Sequence, residues 1–82
     1  MPYYQFFWTD ENLEHITEHG VTAEEFEYVV MHPERIDVSH SSGMPCCWGT
    51  TLEGRYLFCV FEKLDELTVY PVTAYEPKTN ES

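Results

Sequence analysis

Thr22-Ala-Glu-Glu-Phe-Glu-Tyr-Val-Val-Met-His-Pro33 is the stretch on which the fold turns. Thr22 and Glu25 stand three apart, the spacing of a capping box, in which a hydroxyl and a carboxylate each satisfy one free amide at a helix start. Val21 before the box and Phe26 within the helix have hydrophobic-staple spacing. Phe26, Val29 and Val30 form one apolar face. Pro33 disfavours helical backbone at the residue before it, so the helix should stop at about His32.

Upstream, Asp10 is placed to cap a first helix from Glu11, and Gly20 to end it in left-handed backbone. Leu13 and Ile16 give that helix one apolar stripe. Tyr3–Trp8, rich in aromatics, reads as a strand. Downstream of Pro33 the pattern becomes that of strands: Arg35–Val38, Pro45–Thr51, Arg55–Glu62 and Leu67–Tyr75. A loop at Ser39–Gly43 and turns at Leu52–Gly54 and Lys63–Glu66 separate them. Arg55–Glu62 is the most apolar run and fits a central strand partly covered on both faces. Pro71 lacks a ladder donor, so a bulge or local edge is expected there. The expected fold is therefore α+β, in the order β-α-α-β-β-β-β, with an antiparallel sheet and two helices packed on one face.

The chain has 82 residues, which suits a single domain, with a core over about residues 3–76 and a frayed tail at 77–82. Hydrophobic residues are 43% and aromatics 16%, enough for a thin core and too many for a disordered acidic tail. No apolar run approaches bilayer-spanning length, and no basic-then-apolar leader opens the chain, so no membrane partner and a cytoplasmic location are expected. Fifteen acids against four basic residues leave a net charge of −11. Nucleic-acid binders usually carry the opposite sign, because affinity comes mainly from neutralising phosphates. Only Arg35, Arg55, Lys63 and Lys78 would be free to build a phosphate site. Seven of the acids fall between Asp10 and Glu27 with no Lys or Arg among them, whereas Val38–Cys59 holds only Glu53, so the charge belongs to the helix layer. The simplest role of these acids is a solvated face that maintains solubility.

Several residue sets carry a further resemblance: Phe7-Trp-Thr-Asp10, Asn12, His19-Gly-Val21, Glu24-Glu-Phe26 and Val29–Pro33, then His40-Ser-Ser-Gly43, Gly49, Gly54-Arg-Tyr-Leu57 and Val72-Thr-Ala74. Over roughly residues 6–76 the chain resembles the BrnT-type toxins of the wider RelE/ParE-like group of bacterial toxin–antitoxin modules. The resemblance implies a RelE-like fold, cleavage of RNA without a metal or other cofactor, and neutralisation by a cognate antitoxin. Such chemistry needs a group to activate the ribose 2′-hydroxyl, an acid for the leaving oxygen and a cation for the phosphorane. Arg55 would hold the phosphate, with His40 or Tyr75 moving protons. The sequence departs from the family at two places: Tyr75 stands where an Arg usually follows Thr-Ala, and Met44-Pro45 where a Glu-Arg-like pair is usual. RNA cleavage weakened or lost in a divergent member is therefore part of the same expectation.

A different class of function also fits. A non-catalytic protein-binding module would use the charge-poor strand around Cys47 and Trp48, with Trp48 as an anchor. For Arg55 the structural alternative is pairing with Glu53 or Glu62, for His40 a solvated loop position, and for Tyr75 a strand end. His15-Ile-Thr-Glu-His19 has the inverted zincin spelling, and His40 with Cys46 or Cys47 and Cys59 would make a small His-Cys set, but no metal site is expected from either. The three cysteines, an odd number, argue against a disulfide framework, and Cys59 with either Cys46 or Cys47 is read as a packing residue.

Overall fold

In a computed structural model of the chain, residues 4–38 and 43–77 are described. They form β1 (Gln5–Phe6), α1 (Asp10–Glu18), α2 (Ala23–Met31), β2 (Arg35–Val38), β3 (Pro45–Thr50), β4 (Tyr56–Lys63) and β5 (Thr68–Tyr75). Among the described residues these make one five-stranded sheet in the order β1-β5-β4-β3-β2. The order of elements is the expected one, and the class is α+β. The sheet is mixed rather than antiparallel. β2 to β5 are antiparallel neighbours, but β1 runs parallel to β5, with Gln5 opposite Thr68 and Phe6 opposite Val69. The reason is topological: two helices lie between β1 and the later strands, and β1 is added at the far side of the last strand. The expected loop at 39–42, residue Tyr3 and the tail at 78–82 lie outside the described residues.

α2 begins as the sequence requires. Thr22 Oγ1 accepts from the Glu25 amide at 3.1 Å, and Glu25 Oε1 accepts from the Thr22 amide at 3.1 Å. Val21, Phe26, Val29 and Val30 are all buried, and the helix is capped at His32. α1 differs in detail. Its cap is Thr9, not Asp10, and a second capping box joins Thr9 to Asn12. Asn12 also donates through Nδ2 to the Phe7 carbonyl at 3.1 Å. The buried face of α1 is thus Ile16 with the polar Asn12, while Leu13 is exposed. A buried amide is tolerable there because its polar atoms are used.

The turn between the helices is a complete Schellman motif. The Gly20 amide donates to Thr17 O at 2.9 Å, and the Val21 amide to Ile16 O at 3.0 Å. Gly20 has φ +79°, which a side chain would strain.

Both helices cover the same face of the sheet. Ile16, Phe26 and Val29 meet Cys47, Leu57, Cys59, Phe61, Val69 and Ala74 in one core. Phe26 is the hub of the N-terminal aromatics, with ring centroids 5.5 Å from Trp8 and 6.3 Å from Phe6. Trp8 Nε1 donates to Glu27 at 2.7 Å, tying the segment before α1 to α2. On the opposite strand β5, a register shift at Val60/Phe61 leaves Val72 as the extra residue next to Pro71, the expected bulge. No described helix is long and apolar enough to cross a membrane.

Candidate functional site

Strand side chains alternate between faces, so pairing register dictates which residues share a face. Cys47 is opposite Cys59, which is opposite Ala74, and all lie under the helices. Their neighbours must then point away from the helices. Arg35 pairs with Trp48, Trp48 with Phe58, and Phe58 with Tyr75. These four form one ladder rung straight across β2, β3, β4 and β5. The Arg35 guanidinium sits 5.1 Å from the Trp48 ring centre. Trp48 and Phe58 ring centres are 4.8 Å apart, and Phe58 and Tyr75 5.2 Å.

The row continues beyond the sheet. α1 runs beside β5, bringing His19 to 6.0 Å from the Tyr75 ring, and His15 lies 5.3 Å from His19. The two histidines share a helix face because they are four residues apart. The outcome is a continuous row of tilted, contacting rings that runs from a guanidinium through three aromatic side chains to two imidazoles. The adjacent rung, Asp37, Cys46, Val60 and Thr73, adds one acid and two buried apolar residues. No described element covers this helix-free face.

Arg55 is elsewhere. Its Nη1 donates to both carboxylate oxygens of Glu25 at 3.0 Å and to the Gly20 carbonyl at 3.0 Å, while Nη2 is 3.5 Å from Glu76. The partners are Glu25 and Glu76, not Glu53 or Glu62. Glu25 is also the N3 residue of the α2 capping box. Arg55 thereby binds the start of β4 to the turn between the helices, and its donors are turned inward.

The structure separates the expected binding pair Trp48 and Cys47. Trp48 is half-buried on the helix-free face. Cys47 is 1% exposed under α2, its Sγ 4.0 Å from the Val29 carbonyl, so Cys47 is corrected from a contact residue to a core residue. Adjacent strand residues cannot both face one partner. Cys59 is held far above the ordinary thiol range by its hydrogen bond with Cys47 and by burial. Burial, then Asp37 and Cys47, raises Cys46. The bond with Cys59 lowers Cys47, but Cys47 is sealed under α2, so none of the three offers the accessible thiolate a nucleophile requires. Tyr75 stands 38% exposed at the end of the aromatic rung. His40 lies outside the described residues. Among those described, no three His, Cys, Asp or Glu side chains converge as a metal ion would require.

Arg35, Phe58 and His19 belong to the site without having been singled out for it in the sequence. Pairing register unites Arg35 and Phe58 with the site and the packing of α1 beside β5 brings in His19, and a linear reading of alternation contains neither. No family model, no curated protein and no solved structure matches the chain.

Proposed function

We propose that this chain is a BrnT/RelE-like domain of the toxin–antitoxin kind that acts by binding a protein partner on the helix-free face of its sheet. The observation that carries this is the rung Arg35–Trp48–Phe58–Tyr75, a row of tilted, contacting aromatic rings ending in one guanidinium. Interface centres are enriched in Trp, Tyr, Phe and Arg and poor in other charges. The order β-α-α-β-β-β-β, running over the residues that carry the family resemblance, supports the RelE-like reading. A protein partner fits better than RNA because Arg55 is occupied by Glu25 and the chain carries −11 overall. The partner is a basic protein of the cognate-antitoxin kind, steered at long range by the net charge of −11 and seated on the rings, in the cytoplasm.

The test is calorimetric titration with the product of the gene adjoining this one. Tight binding by the parent and at least a tenfold loss in Trp48→Ala are expected. No binding by the parent, or equal binding by the variant, removes the proposal.

A second reading is favoured by one observation: His19 and Tyr75, two groups able to transfer protons, lie side by side with ring centres 6.0 Å apart. Metal-independent RNA cleavage would then use Tyr75 with His19 or His40, and Arg35 or a released Arg55 for the phosphate. Tightly induced expression followed by total-RNA analysis decides it. Arrest with fragmented RNA in the parent, and neither in Tyr75→Phe, supports cleavage. Normal growth with soluble, folded protein excludes it.

A further inference from the structure

β2 is the edge of the sheet, and its four residues Arg35-Ile-Asp-Val38 are all exposed. Among the described residues no strand pairs with its outer side, and the Val38 amide there is held by Asp37 Oδ1 at 2.8 Å, a local bond that an added strand would displace. An open edge presents unpaired backbone N–H and C=O groups that template another strand. The side chains on this edge are self-complementary. Arg35 and Asp37 lie on the helix-free face, two residues apart, and Ile36 lies between them on the helix face, 67% exposed.

We infer that a second copy of this chain pairs with the first through β2, antiparallel and centred on Ile36, joining the two sheets into one. In that register Ile36 faces Ile36 of the second copy. Arg35 faces Asp37 of the second copy, and Asp37 faces Arg35 of the second copy. Each two-fold interface of this kind repeats every contact twice.

Other registers are worse. Sliding by two residues sets Asp37 against Asp37 or Arg35 against Arg35, and directly opposed like charges destabilise a strand pair. Sliding by one sets Ile36 against Asp37 and turns the helix layers to opposite faces. The centred register keeps both helix layers on one face and both aromatic rungs on the other. It also brings the second Ile36 to the lip of an apolar groove of about 330 Å³ beside the end of α2, lined by Val30, Met31, Pro33, Ile36, Pro45 and Phe61. The near-neutral β2–β3 side is where two chains of −11 can approach with least repulsion. This inference does not rest on the partner proposed for the helix-free face, although Arg35 takes part in both.

The register itself can be tested by charge exchange, using sedimentation of the full chain up to about 1 mM, the weak end of specific association. Salt near 0.15 M screens the net repulsion over about 8 Å while leaving contact pairs intact. The parent should dimerise. Arg35→Asp puts an acid against Asp37 of the other copy, and Asp37→Arg puts a base against Arg35. Each variant alone should lose at least tenfold in association, with circular dichroism confirming the fold. Mixed one to one, the two variants should form a heterodimer as tight as the parent dimer, because every opposed pair is again of opposite sign. A monomeric parent overturns the inference. So do single variants that dimerise like the parent, or a mixture that stays monomeric.

Discussion

Replacing Arg55 by Ala removes the clamp that holds β4 to the turn between the helices, and the size of the loss can be worked from its contacts. Arg55 makes two hydrogen bonds to the Glu25 carboxylate and one to the Gly20 carbonyl, all at 3.0 Å. The Glu25 side chain is 13% exposed and that of Arg55 31%. A fully buried pair broken at one end would cost about 3–5 kcal/mol, and an exposed one about 0–1 kcal/mol. The geometry lies between these limits, nearer the exposed end on the Arg55 side, so about 1–2 kcal/mol is expected. For a domain of this size that corresponds to a fall in Tm of roughly 5–15 °C. Urea unfolding followed by Trp fluorescence measures it, and an unchanged slope against denaturant would show that the unfolded state is unaltered. Glu25→Gln keeps a capping side chain while removing the charge. In a double-mutant cycle with Arg55→Ala it should return a coupling of about 1 kcal/mol. A loss below about 0.5 kcal/mol with no coupling would refute the clamp and return Arg55 to the pool of phosphate-binding candidates.

Further expectations follow from other sites. Gly49→Ala would place its Cβ 3.1 Å from Val29 Cγ1 and 3.4 Å from the His32 carbonyl, so the fully buried Val29 side chain must give by a few tenths of an ångström, at a cost of about 1 kcal/mol in urea unfolding. Asn12→Ala removes the side-chain half of the α1 capping box and the bond to the Phe7 carbonyl, and should cost about 2 kcal/mol by the same measurement. Asp65 accepts from the Leu67 and Thr68 amides at 2.9 and 2.8 Å, and these bonds hold its carboxyl below the ordinary range. A lowered folded-state value means stability that is present above about pH 4 and lost as pH falls further, so Asp65→Asn should flatten the acid limb of a stability–pH curve. Cys46, Cys47 and Cys59 are all buried, so a thiol reagent should label the native chain only at the rate of its opening and label all three at once in urea. Rapid native labelling would contradict the packing described.

Local chemistry made much of this fold legible. The Thr22–Glu25 box, the Val21–Phe26 staple, Gly20 and Pro33 act within a few residues of themselves, and each did in the structure what its type requires. β2 has its expected bounds, and Pro71 sits beside its bulge because a missing amide perturbs its own strand. Where local cues competed, the reading slipped by a residue or a face. Thr9 caps α1 because Asn12 at the third helical position reciprocates, a pairing that Asp10 lacks. Asn12 then takes the buried position in place of Leu13.

The candidate site was less legible. Tyr75 and Trp48 were visible as side chains of the right kind, but Arg35 and Phe58 join them only through register, and His19 only through the packing of α1 beside β5. Arg55 shows the reverse case. Its neighbours in sequence suggested a free strand-start cation or a pair with Glu53 or Glu62, and the partner it meets, Glu25, is 30 residues away.

The sequence alone determined both helices, the ends of α2, the succession of strands and the concentration of acid on one layer, because caps, turns and charge counts are properties of short segments. Tertiary structure decided that β1 lies parallel to β5, that Arg55 closes on Glu25, and that Arg35, Trp48, Phe58 and Tyr75 share a rung. Those depend on which strand lies beside which and in what register, and pairing is settled by the burial of the whole sheet against both helices.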